Sequence, residues 1–417
     1  MTQAASWHTE TFIQLTDYRE VEEVLRRGKD FVLSGTKAES DEFVHGTIIA
    51  IDGREHLARR RALMKMISPA QPWGPEGHLL DEVFQHNLDR IRATVPAVRG
   101  TRHFDLIEFC RRIIWRVTAA FVGIDGIDGD DQVSRFLELA RPILDGLTVE
   151  YKPVDQREEV VRKSRAARDR IRTEMFLPSL NRRTALLKRF TEEGRSLDEL
   201  PADLLTSMLR NASDAEPDVE PIFREAVALL AAAVNNPVSQ AAWALDDLLP
   251  WLQAHPEHWA RVGEREFLNR AVKETLRLHR SSRPHLVRIA TRDAVLESSG
   301  RRIPAGSWVS SWLGAANRDN GVFGKDADTY DPYRTISGPK VQPFGVAFGA
   351  GPHVCLGRPM LLWEQGSEHS QGIQTKMLRL LLDNGVRKDP DGVQELTGEE
   401  GGRRYARYDV IMPDEEC

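Results

Sequence analysis

Cysteine is scarce. Only Cys110, Cys355 and Cys417 occur, far apart and odd in number, which argues against a disulfide framework and fits a reducing compartment. No apolar run approaches the ~20 residues that cross a bilayer, so no membrane span is expected. The opening residues MTQAASWHTE lack a basic stretch followed by an apolar one, which argues against a signal peptide or membrane anchor. Low-complexity segments and Ser/Gly linkers are missing too. With no such boundary the chain reads as one large domain, residues 1–417. A strong charge excess is also lacking: the net charge is −6 with acids and bases interspersed, leaving no footprint for nucleic acid. A cytoplasmic protein with a small-molecule ligand is the expectation.

What is present suffices for a large core, with 41% hydrophobic and 29% charged residues. Apolar residues recur at helical spacing over 21–25, 104–121, 133–147, 222–249 and 267–278. Short strand-like runs lie near 47–51, 287–296, 308–312 and 408–411. The fold class expected is mainly α with a small β subdomain. The run GIDGIDGDD over 123–131 invites comparison with a calcium loop. With Asp125 first, Ile127 and Asp130 stand where an EF-hand needs an acid or amide and a glycine, so it reads as a solvated turn.

The most informative stretch is Phe348-Gly349-Ala350-Gly351-Pro352-His353-Val354-Cys355-Leu356-Gly357. A thiolate kept ionised against a flat macrocycle needs small neighbours and backbone N–H groups aimed at sulfur, and Gly351 and Gly357 are the expected clearance. Pro359 suits the first turn of a helix that would turn its positive end to the sulfur. The bland alternative, a buried thiol in a Gly-rich turn, is accepted for Cys110 and Cys417. At every fixed position the stretch matches F-G-x-G-x-H-x-C-x-G, and it resembles the ligand loop of the cytochromes P450. The resemblance implies the P450 fold, haem b (iron protoporphyrin IX) as cofactor, Cys355 as the proximal iron ligand, and Phe348, Gly349 and Gly357 as the surrounding loop. It also implies a soluble mono-oxygenase served by a ferredoxin and ferredoxin reductase.

Glu274-Thr275-Leu276-Arg277 resembles the family's E-x-x-R, whose members share a helix face, although E-x-x-R also occurs by chance on solvated helices. Tyr330-Asp331-Pro332-Tyr333-Arg334 follows in the place of the family's meander, so Arg334 is expected to complete a buried Glu–Arg–Arg network. His56-Leu57-Ala58-Arg59-Arg60 resembles the family's H-x-x-x-R, with His56 and Arg60 at i and i+4 facing haem propionates. A basic surface helix is the commoner meaning of such a run. Arg288 and His353 are the other propionate contacts that the resemblance implies. The cations Arg59, Arg61, Lys65, Arg111, Arg112 and Arg358 form either a docking face for an acidic redox partner or an ordinary solvated surface.

One departure bears on chemistry. Where the family's long distal helix usually reads A-G-x-[DE]-T, this chain has Ala233, Val234, Asn235, Asn236 and Pro237. The acid and the alcohol that relay protons during oxygen activation are both replaced. Proline frees the carbonyl of Ala233, and Asn236 can orient water without acting as an acid. Proton delivery then falls to ordered water, to Ser239 or to the substrate. Asn236 as an N-cap with Pro237 opening a second helix is a standard start signal; the resemblance favours one long kinked helix instead. Ala233, Asn236 and Pro237 are the expected catalytic positions, and Val234, Leu286 and Val287 the expected substrate wall. Residues 34–53 and 144–153 are the expected covering loops. Coupling, cyclisation or desaturation of a small apolar metabolite is the expected outcome; the alternatives are a peroxide-dependent enzyme and a non-catalytic haem sensor. The His56 motif comes early, which implies a fold shortened at the N-terminus.

Overall fold

A computed structural model of the chain describes residues 12–67, 77–211, 218–279, 285–338, 340–362, 372–397 and 403–414. The helical periodicities become helices Tyr18–Arg26, Leu106–Val122, Asp130–Gly146, Val219–Ala254 and Arg265–Leu278. Strands are few and short, so the class is mainly α with minor β. Among the described residues no helix is long and apolar enough to cross a membrane. Residues cluster into two units. Among the described residues the first takes 32–67, 115–211 and 218–234; the second takes 12–31, 77–114 and those from 235 onward.

The helix Val219–Ala254 runs unbroken through Pro237 and Pro250. The reading with a new helix starting at Pro237 is therefore overturned. Apolar residues flank the proline on both sides, and burial of Leu229, Leu230, Val238, Ala241 and Leu245 outweighs the one backbone hydrogen bond that it removes.

In the first unit, helices Asp130–Gly146 and Val154–Ile171 pack closely. A Cβ on Gly146 would come within 2.1 Å of Ser164 Oγ and 3.2 Å of the Phe43 ring, so glycine is what lets these backbones meet. Residues 47–51 form turns rather than the expected strand. The N–H of Ile48 finds no strand partner and donates instead to the carboxylate of Glu225, at 3.2 Å to Oε2. Asp203 caps helix Leu204–Arg210 by accepting from the Thr206 N–H, and also holds Arg183 at 2.7 Å. Arg183 and Arg182 bind Asp125 within the expected turn over 123–131.

The segment of 34–53 that precedes the turns is cross-linked to the segment around 150–168. Lys37 Nζ lies 2.6 Å from Glu150, Glu39 pairs with Arg157, and Arg165 makes a bidentate pair with Glu42 at 2.8 and 2.9 Å. Of these pairs only Lys37–Glu150 joins the two expected covering loops, 34–53 and 144–153, because Arg157 and Arg165 stand on helix Val154–Ile171.

The second unit carries the sheets. One has the order Phe12–Leu15, Trp308–Ser311, Leu286–Ala290, Phe31–Val32; its first pair is parallel and its second antiparallel. The expected run 287–296 is thus two strands, Leu286–Ala290 and Ala294–Val295. In a second sheet Arg404–Pro413 lies between Thr101–Asp105 and Arg387–Lys388. Leu15, Val21, Val24, Leu25, Phe31, Val309 and Phe323 form the core beneath the first sheet.

The cross-links range from largely buried, Lys37–Glu150 and Glu39–Arg157, to exposed, Arg165–Glu42, and charge reversal tests them. R157E is expected to raise amide hydrogen exchange across 38–44 several-fold, and the swap E39R/R157E to restore protection. Equal exchange in all three proteins would show that apolar packing alone holds the segment.

Candidate functional site

The Cys355 loop is wedged onto the end of helix Tyr18–Arg26. Gly351 has φ 67°, and a Cβ there would stand 2.4 Å from the Leu25 carbonyl oxygen and 2.6 Å from Arg26 Cα. Only glycine permits that approach. Gly351 therefore clears this helix rather than the sulfur. A Cβ on Gly357 would lie 3.8 Å from Cys355 Sγ, an ordinary contact, so Gly357 leaves the sulfur uncrowded without being demanded by it. Within the loop the Gly349 N–H donates to Val346 O at 2.8 Å, and the Cys355 N–H donates to Phe348 O at 2.9 Å. The helix after the cysteine is described for one turn only, Arg358–Leu361, with Pro359 in it as expected.

Cys355 is exposed on this loop, while Phe348, Ala350 and Met360 around it are buried. Cys110 is fully buried, and desolvation pushes its thiol far above the ordinary value. An unbridged cysteine is normally a buried apolar group. One whose sulfur projects from a fixed frame, next to glycines, fits a residue that binds something laid across it. Across the loop, Leu286 Cδ1 lies 3.6 Å from where a Gly349 Cβ would stand. Leu286 and Arg288 share one face of strand Leu286–Ala290, and the guanidinium of Arg288 is buried there. Val287 is buried and leaves the opposite face of the strand. His353 is half-buried in the turn Gly351–His353. A thiol donor, a buried cation on the adjoining strand and an apolar side chain between them suit the thiolate, propionate and ring of a haem.

Behind the loop stands the expected network. Glu274 receives Arg277 at 2.7 and 2.8 Å and Arg334 Nε at 2.8 Å. Arg277 is fully buried and spends further donors on the carbonyls of Asn317 and Ala327, at 2.7 and 2.6 Å. Arg334 donates to Phe323 O at 2.8 Å and to Asp326 O at 3.0 Å. Burial works against the charge on Arg334, but the hydrogen bonds and charge of Glu274 outweigh it and hold the guanidinium above its usual pKa. Asn317 offered no sequence signal. It sits at the end of a short apolar run, and its partners are distant in the chain.

The remaining expected residues are placed as follows. In the first unit His56 is buried and Arg60 half-buried, both on helix Gly53–Met64. Arg59, expected on a docking face, instead lies 2.7 Å from the buried carboxylate of Glu225, which burial pushes up in pKa against the opposing pull of Arg59. Arg111 and Arg112 of the second unit pair with Glu108, while Arg358 is half-buried; Arg61 and Lys65 are exposed in the first unit. Of the six cations, Arg61 and Lys65 are the exposed ones. Ala233 and Asn236 are half-buried on the long helix, and the side chain of Val234 lies outside the described residues. Pro237 is buried, and its carbonyl accepts from Gln374 Nε2 at 3.0 Å. Ser239 Oγ is buried with no hydrogen-bond partner among the described residues.

Two outcomes follow from this geometry. R334A should cost about 3–5 kcal/mol of unfolding free energy in a urea titration, because it strips one partner from a buried carboxylate. In haem-free protein, iodoacetamide should modify Cys355 in peptide mapping and spare Cys110 until the chain unfolds.

Comparison with known proteins agrees with the fold. The sequence profile of the cytochrome P450 family matches residues 252–365, which hold the network and the cysteine loop. A luteothin monooxygenase of Streptomyces thioluteus is 31% identical over 199 residues, 45% of this chain and 46% of that protein. A mycinamicin VIII C21 methyl hydroxylase of Micromonospora griseorubida is 37% identical over 178 residues, 42% of this chain and 41% of the relative. The matching stretches thus span less than half of these relatives. The crystal structure of HmtT, involved in himastatin biosynthesis, superimposes with TM-score 0.70 at 19% identity, covering 97% of this chain and 93% of that one. Over residues 252–365, which hold the glycine loop with its exposed thiol and the Glu–Arg–Arg network, the chain thus resembles the cytochromes P450, and its fold is like that of their solved structures.

Proposed function

We propose that the chain, acting as one haem domain over residues 1–417, is a mono-oxygenase or oxidase for a small, largely apolar secondary metabolite. The observation that carries this is the exposed Cys355 thiol held on a loop whose flanking residues are buried. Relatives named for luteothin and mycinamicin oxidation support a small-molecule substrate. Haem b, held through Cys355, would supply one-electron and dioxygen chemistry.

Phe348, Gly349 and Gly357 frame the sulfur, and Arg288 and His353 are the proposed propionate partners beside it. For His56 and Arg60 the same role rests on the H-x-x-x-R pattern. Leu286, on the strand face that also carries Arg288, excludes water and packs against the substrate. On the long helix Pro237 has no N–H, so the Ala233 carbonyl is left to accept from water or substrate, and the Asn236 amide orients that water. The hydroxyl of Ser239 can pass a proton, whereas an amide cannot act as an acid at neutral pH. Proton delivery without a carboxylic acid favours coupling, cyclisation or desaturation over simple hydroxylation. Electrons would come from a ferredoxin and its reductase. The missing acid–alcohol pair favours one second reading, in which hydrogen peroxide replaces both dioxygen and donor.

The ferrous carbonyl complex should show the red-shifted Soret band of thiolate ligation, and C355H should lose it while still binding haem. A wild-type protein without that band would end the proposal. Turnover with peroxide alone, at a rate no ferredoxin system exceeds, would select the second reading.

A further inference from the structure

We propose that Asn317 is the positioning residue that ties the buried Glu274–Arg277–Arg334 network to the Cys355 loop, and so keeps the sulfur in ligating geometry. The inference rests on the haem-thiolate reading above only for what the sulfur binds. Asn317 is fully buried at the end of helix Leu313–Ala316, and its contacts run in both directions. Toward the network, its main-chain oxygen accepts from Arg277 Nη1 at 2.7 Å, while its Nδ2 donates back to Arg277 O at 3.1 Å. Toward the loop, Nδ2 reaches Phe344 O at 3.5 Å and Oδ1 accepts the Val346 N–H at 2.8 Å.

From Val346 the tether continues by short steps. Val346 O accepts the Gly349 N–H at 2.8 Å, and Phe348 O accepts the Cys355 N–H at 2.9 Å. Gly345 belongs to the same device. Its φ is 58°, and a Cβ there would stand 2.1 Å from Asn317 Oδ1, so the loop can close on the amide only if residue 345 has no side chain. The amide is needed in kind as well as size. Nδ2 faces two carbonyl oxygens, which a carboxylate would repel, and a leucine would take from the Val346 N–H and the Arg277 carbonyl the partner that Asn317 gives them, while Phe344 O would keep the Ala347 N–H at 3.2 Å.

The test compares wild type with N317A, N317D and G345A, each prepared with and without haem. In the haem-free proteins, N317A and G345A should speed amide exchange at Val346 and Cys355 about tenfold or more, the size expected for one buried hydrogen bond, with helix Leu106–Val122 unchanged as control. N317D keeps the acceptor for Val346 and loses the donors, so it should fall between wild type and N317A. In the haem-loaded proteins, the same order should appear as a growing fraction of ferrous carbonyl complex that lacks the red-shifted band. Should N317A fail to fold, N317D and G345A carry the comparison. Wild-type exchange at Val346 and Cys355 in G345A and N317D overturns the inference, as does wild-type ligation beside loosened amides. A wild-type protein without the thiolate band defeats the haem reading instead, and the exchange measurements still decide whether Asn317 holds the loop.

Discussion

The structure around Cys355 depends on one buried carboxylate. Glu274 sits among apolar residues of helix Arg265–Leu278 and binds two guanidiniums, from Arg277 three residues on and from Arg334 sixty residues on. Taking such charges out of water is costly, and the cost is offset only when every remaining donor finds a partner. The spare donors of both arginines therefore fasten the carbonyls of Asn317, Phe323, Asp326 and Ala327. A segment with little regular structure is held by side chains in place of a backbone ladder. From Asn317 the restraint passes to Val346 and on to the loop that presents the thiol.

A stiff support under a sulfur matters because the sulfur cannot be held by packing. On the reading proposed above, a ligating thiol, unlike the buried thiol of Cys110, would have to stay accessible to its metal. Its position has to come from backbone hydrogen bonds and close approach, here the Cys355 N–H on Phe348 O and the contact of Gly351 with Leu25 and Arg26. The opposite economy governs the first unit. There, ion pairs such as Lys37–Glu150 and Arg165–Glu42 join segments that also bury Phe43, Val44 and Val149, and Arg59 is spent on buried Glu225. The cationic stretch on helix Gly53–Met64 is thus partly internal structure.

The departure at Asn236 and Pro237 has a mechanical and a chemical side. Mechanically it is silent, since the long helix continues and Gln374 braces the Pro237 carbonyl. Chemically it sets an amide and a proline where an acid and an alcohol are usual. On the reading proposed above, the half-buried amide of Asn236 and the buried hydroxyl of Ser239 would work through water.

Motif spacing in the sequence determined much of this site before any coordinates. The cysteine loop was legible because six of ten positions are specified, and Glu274 with Arg277 because one helical turn sets their distance. The long amphipathic helices were legible for the same local reason. Where the partner lies far along the chain, spacing was silent. Only the tertiary structure gave Arg59 to Glu225, 166 residues away, and Asn317 to Val346, 29 residues away. It also decided that 47–51 would turn rather than pair, because Ile48 met a carboxylate and no strand, and that Gly351 serves a helix end more than three hundred residues upstream. Local periodicity chooses the element, but which groups meet, and hence what each glycine or cation is for, depends on packing between distant segments.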